Sequence, residues 1–298
     1  MERHVHEKVE MQLITGCVGS GRSFAVLGQQ EDESGNPAEL WTAGFWIDGE
    51  WRSELDLNFN PVSIAALPGS RDRWVILGSE NGILWVDSTA TIPSGRRTHV
   101  NDSDPVAFTN LCVYNGGVAA AQLGHKIYWS EGADWLTLGT GLPKSSGGAT
   151  VGFEAMTTLD DCLYGVGWRG EIWCMRNLRW TQIHSPVNII LTGVTSADGE
   201  IIACGRLGMI VRGHGDCWRV VDHDQTDEDF WSVVYFKGRI YLSSMTGIYE
   251  LSDDLLTPVD DDSEVGSYYH LSANSEIMIS VGARAVSMFD GDQWRQLF

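Results

Sequence analysis

Short apolar stretches, each about one β-strand long, recur along this chain with polar turns between them. The order is clearest over Ile190–Val221. An apolar stretch, a polar turn and a second apolar stretch lead to a Gly-x-x-Gly turn at Gly205–Gly208. A third apolar stretch, a Gly/Asp turn, Trp218 and a last apolar stretch follow. The same order returns at Glu154–Ile183 and again at Tyr268–Leu297. Four short strands per unit, at a period of roughly 40 residues, predict the blades of a β-propeller.

Tryptophans set the period. Trp51, Trp135, Trp180, Trp218 and Trp294 each follow a turn bearing Gly, Asp or Asn and open a final strand. Trp180 to Trp218 is one unit. Trp218 to Trp294 is two, so the unit between them has lost its Trp, and Leu256 stands near the missing position. Trp51 to Trp135 is also two, the inner unit ending on Arg96–Val100. The chain is therefore expected to be all-β, a seven-bladed propeller of four-stranded antiparallel blades at about 11–57, 62–101, 106–140, 152–185, 189–222, 230–260 and 267–298. One blade buries too little to fold alone, so the ring forms a single domain. Two modes of closure are open: residues around Lys8–Gln12 pairing into the last blade, or side-by-side packing.

Hydrophobic residues make up 43% of the chain, and no apolar run reaches a membrane span. The start, Met1–Lys8, lacks the apolar core of a secretory signal, so a cytoplasmic location is expected. The six cysteines fall mostly inside predicted strands with no Cys-x-x-Cys pair, as buried small hydrophobes do. Cys162 and Cys174, on neighbouring strands, are the one pair placed for a disulfide. No P-loop, Rossmann fingerprint, His-Glu-x-x-His or Gly-x-Ser-x-Gly occurs. Gly16–Gly21 reads as a hairpin, and Asp222–Asp229 lacks the bend Gly and distal Glu of a calcium loop. No cofactor, metal or catalytic residue is assigned.

Charge changes the picture more. The 20 basic and 40 acidic residues give a net −20, which disfavours direct nucleic-acid binding and favours a cationic partner. In a propeller, the blade-to-blade connections and the turns between second and third strands share one face. Asp222–Asp229, Asp260–Glu264, Asn101–Asp104 and Gln29–Ser34 all map there, the last as a long insertion in a turn of blade one. Asp253-Asp254 is the one acidic pair assigned to the opposite face. Arg169, Arg206 and Arg284 occupy equivalent turns on the acidic face, with His125-Lys126 in that turn of blade three. Inward-aimed arginine forks there would make an anion or carboxylate site.

The turn-plus-Trp element resembles the Asp-box repeat of sialidase-like and photosystem-assembly-factor-like propellers, whose pattern is Ser/Thr-x-Asp-x-Gly-x-x-Trp. Ser287–Trp294 and Ser130–Trp135 carry it here. Blade seven has Asp290 and Gly291 adjacent, and blade three has Glu131 in place of Asp. The resemblance implies a six- or seven-bladed ring rather than an activity.

Together these features point to a non-catalytic propeller that binds a basic protein, as an inhibitor or immunity-type protein against a nuclease-like toxin domain. Asp224, Asp227, Glu228, Asp229, Asp260, Asp261 and Asp262 are the expected contacts, with Trp231, Tyr268 and Tyr269 as aromatic anchors. Two alternatives remain open: a glycan-active, sialidase-like or lyase enzyme using the arginine turns, and an assembly scaffold.

Overall fold

A computed structural model describes residues 11–69, 73–80, 82–88, 94–100, 106–132, 134–143, 151–259 and 266–298. Among these, the strands form seven four-stranded antiparallel sheets, each built from four consecutive strands. The first strand of each sheet packs on the first strand of the next. These inner strands are Met11–Val18, Pro61–Ala66, Phe108–Tyr114, Phe153–Leu159, Leu191–Ala197, Ser232–Phe236 and His270–Ala273. The result is a seven-bladed β-propeller.

The core lies between blades rather than within them. Each junction has its own apolar cluster, such as Phe45, Ile64, Trp74 and Ile76 between blades one and two. Second strands face a neighbour on both sides and so read as continuous apolar runs, as in Phe24–Leu27, Trp74–Leu77 and Val118–Ala121. Fourth strands lie at the perimeter and carry much of the exposed polar surface, as in Ser94–Thr98. The tryptophans that open them cap the junctions. Trp180 is buried against Phe153, and in blade six Leu256 is buried at the corresponding position.

Hydroxyls on the inner strands tie neighbouring blades together at five of the junctions. Thr109 Oγ1 donates to the Phe153 carbonyl at 2.7 Å, and Thr192 Oγ1 to that of Phe230. Ser232 Oγ donates to the Leu271 carbonyl at 3.2 Å. Ser63 Oγ accepts from Leu111 N, and Ser272 Oγ from Val18 N at 3.0 Å.

The ring closes by packing. Met11 and Gln12 pair with Gln30 and Gln29 inside blade one, while blade seven takes all four strands from His270–Gln296. Leu13, Val26 and Trp46 meet Ile277, Ile279 and Met288 across the junction. Asn274 Nδ2 donates to the Gly19 and Gly21 carbonyls, and Leu13 N to the Ala283 carbonyl.

The long insertion at Gln29–Ser34 is a protruding hairpin: its strands Phe24–Glu31 and Pro37–Ile47 pair as far out as Glu31 and Pro37. Asp32 Oδ1 accepts from Ser34 N and Asn36 N at 2.9 Å each, closing the tip. The backbone donors hold the Asp32 carboxyl below its usual range.

Candidate partner-binding face

Alternating strand direction places the second-to-third-strand turns and the blade connections on one face, and cross-blade bonds agree. The connection Asp222–Asp229 meets the turns of blades five and six. Arg284, in that turn of blade seven, pairs with Glu31 of the blade-one hairpin at 2.8 Å.

The acidic connection divides into two kinds of carboxylate. Asp229 Oδ1 accepts from Leu207 N at 2.9 Å, and its other oxygen stands 3.9 Å from Arg206 Nε. Gly208 N donates to the Glu228 carbonyl at 2.8 Å, and His223 Nε2 donates to the Gly208 carbonyl at 2.7 Å. A Cβ at Gly208 would strike the Thr226 carbonyl, so this close approach, at φ +66°, requires glycine. The Glu228 carboxylate accepts from Thr246 Oγ1 at 2.7 and 2.9 Å. Hydroxyls of Ser244 and Thr246 hold its carboxyl below the usual range. Asp227 and Asp224 are exposed and lack a cation partner among the described residues. Among the described residues, Asp224 accepts only from the neighbouring Gln225 amide, at 3.3 Å. Asp260, Asp261 and Asp262 lie outside the described residues, as do Ser263, Glu264 and Asn101–Asp104.

The expected aromatic anchors separate. Trp231 is 40% exposed and meets the half-buried Tyr269 edge-on, with ring centroids 6.2 Å apart. Tyr268 is only 5% exposed and packs with Phe236, Tyr241 and Met278. It belongs to the junction between blades six and seven and offers no surface to a partner.

The three arginines have separate surroundings. Arg206 faces Asp229 and Arg284 faces Glu31. Arg169 is exposed beside a cavity of about 780 Å³ that holds neither of the others. One wall of that cavity is the Glu171 carboxylate, 2.8 and 2.9 Å from His125 Nε2 and accepting from Trp173 Nε1 at 3.0 Å. His125 therefore serves the junction between blades three and four. A shared triad is not what these side chains form.

Acid is not confined to one face. Asp48, Asp160, Asp161, Asp198, Asp216, Asp253, Asp254, Asp290 and Asp292 stand in turns of the opposite face. Several are tied internally: Asp254 to Arg212 and Arg219, Asp198 to Tyr235 OH, and Asp290 to Arg22. Asp160-Asp161 is thus a second acidic pair on this face beside Asp253-Asp254, these short turns offset the longer runs, and clustering rather than side is what sets Asp222–Asp229 apart. Cys162 and Cys174 are free thiols, with Arg176 Nε donating to Cys162 Sγ at 3.0 Å. In the last blade, Asp290 Oδ1 accepts from Asp292 N and Gln293 N at 3.1 Å, fixing the turn before Trp294.

Sequence reasoning passed over the apolar turn tips. Leu207 is 65% exposed, Met245 53% and Trp168 37%. They occupy the second-to-third-strand turns of blades five, six and four. The signal was available, since each is a large apolar side chain one or two residues before a turn glycine, where polar residues are usual.

No family model matches the chain. A curated relative, the "Immune protein Tsi7" of Pseudomonas aeruginosa, is 40% identical over 168 residues, covering 55% of this chain. The chain thus matches 55%, about half, of the length of that relative. Among solved structures, the WD40 β-propeller domain of Doa1 superposes with a TM-score of 0.68 at 12% identity, over 96% of this chain and 95% of that one. YCF48 from Cyanidioschyzon merolae gives 0.57 at 14% identity, over 80% and 84%. At such identities the likeness is one of fold. It agrees with the photosystem-assembly-factor propellers as a fold, and supports neither the Asp-box repeat nor the sialidase side of the resemblance. No helix among the described residues is long and apolar enough to cross a membrane.

Proposed function

We propose that this chain is an immunity-type protein, a non-catalytic propeller that neutralises a basic toxin domain by binding it. The match to an immune protein over 168 residues carries the reading. The ring supports it physically. A rigid array of turns offers a broad preorganised surface, and a net charge of −20 favours encounter with a cation. Carboxylates such as Asp224 and Asp227 would occupy the positions that phosphates take on a nuclease-like surface.

Growth protection tests this. Co-expression with a candidate basic toxin domain is expected to restore growth of cells that the toxin alone arrests. The purified pair should co-elute, with the complex weakening as salt rises. Arrest that persists at equal expression, without a complex, would reject the reading.

A further inference from the structure

Three consecutive blades present a large apolar side chain at the same kind of turn and on the same face: Trp168, Leu207 and Met245. Trp231 adds a fourth, at the start of the inner strand of blade six. Large exposed apolar groups that recur at equivalent places in neighbouring repeats need a reason, because isolated turns favour polar residues.

These tips are held still. Leu207 N is bound by Asp229 and its turn by the Glu228 carbonyl. The Met245 turn is closed by Ser244 Oγ, which accepts from Thr246 N and Gly247 N at 3.2 Å, and is tied by Thr246 to the Glu228 carboxylate. Trp168 Nε1 donates to Glu154 Oε1 at 2.6 Å. Contacts ordered before binding lose little entropy on association, and buried aromatic or aliphatic anchors dominate binding energy. Glu228 and Asp229 thus act as positioning residues, while Asp224 and Asp227 keep their charge toward solvent.

We infer that Trp168, Leu207, Met245 and Trp231 form the contact surface for the partner, with Asp224 and Asp227 as its charged flank. The occupant is a protein surface bearing lysines or arginines around an apolar protrusion. The apolar tips define the protrusion, and the uncompensated carboxylates beside them define the charge. This rests on the immunity reading and adds to it which face binds and by what chemistry.

The test uses the intact chain and an inactivated form of the toxin domain against which it protects growth, with binding kinetics measured at two salt concentrations. Leu207→Asn, chosen because Asn tolerates the positive φ of that turn, and Met245→Asp are each expected to raise Kd at least about tenfold. Unfolding midpoints should stay at the wild-type value. Asp224→Asn combined with Asp227→Asn should slow association severalfold and flatten its salt dependence, with little change in dissociation. Leu255→Asp, at an equally exposed leucine of the opposite face, should leave Kd unchanged. Wild-type binding by Leu207→Asn and Met245→Asp, with loss in Leu255→Asp, overturns the assigned surface while the immunity reading stands. Neither complex nor growth protection with the wild-type chain removes the immunity reading, and the surface with it.

Discussion

Asp227 and Asp229 are two positions apart and have different jobs. Asp229 satisfies a backbone donor that the Leu207 turn leaves over, whereas Asp227 faces water. Asp229→Ala is therefore expected to cost roughly 1–2 kcal/mol of stability. Amide exchange at Leu207 should accelerate in the same variant, read by mass spectrometry or NMR; unchanged protection there would contradict the bracing role. The sequence showed that carboxylates cluster here. It did not show which of them a neighbouring turn would claim, because that depends on blade six meeting the connection through Thr246. Tyr268 is a similar case. A Tyr-Tyr pair after an acidic stretch reads as an exposed anchor, but strand alternation turns one ring into the junction and the other outward.

At the scale of the blade, sequence was a good guide. Turns bearing Gly, Asp or Asn and the tryptophans that follow them marked the perimeter strands of five blades, and the gap in blade six was filled as expected by Leu256. Leu256 is fully buried among Phe230, Leu242 and Leu251. Leu256→Ala should lower stability by about 2–5 kcal/mol, seen as a shift of the denaturant midpoint. A shift near zero would mean the site can collapse around the missing methyls. The blade-one hairpin was less legible. Its polar segment Gln29–Ser34 looks like a loop, yet paired strands can be polar where both sides meet solvent, and Glu31 still aligns with Pro37. The ladder of inner-strand hydroxyls was also missed. Ser and Thr in strands are common, and only the neighbour's backbone shows that Thr109 and Thr192 bridge blades.

Across the whole molecule, the ring was readable from its period, and the placement of charge was not. Asp48 and Asp198 sit in tight turns because Asp tolerates positive φ, but each still brings a charge, and together such residues balance the conspicuous runs. Closure was left open by sequence, and its chemistry has a pH signature. His270 lies at the junction of blades seven and one, where burial pushes its imidazole down to about 4, against the raising effect of a hydrogen bond it donates to the Gly16 carbonyl. A base depressed on folding binds its proton more readily in the unfolded chain. Its stabilising contribution is complete above about 6.5 and declines as pH falls toward about 4. Thermal midpoints should drop across that window, and His270→Gln should flatten the slope; an equal slope in the variant would locate the acid sensitivity elsewhere. This junction is also the one place where no peptide bond bridges neighbouring blades. It works as a clasp, and springing it would leave two matched oily walls, one bearing Val26 and Trp46, the other Ile279 and Met288. In a crowded acidic solution the nearest complement to either wall belongs to a second copy, so loosened molecules would string head to tail into open chains.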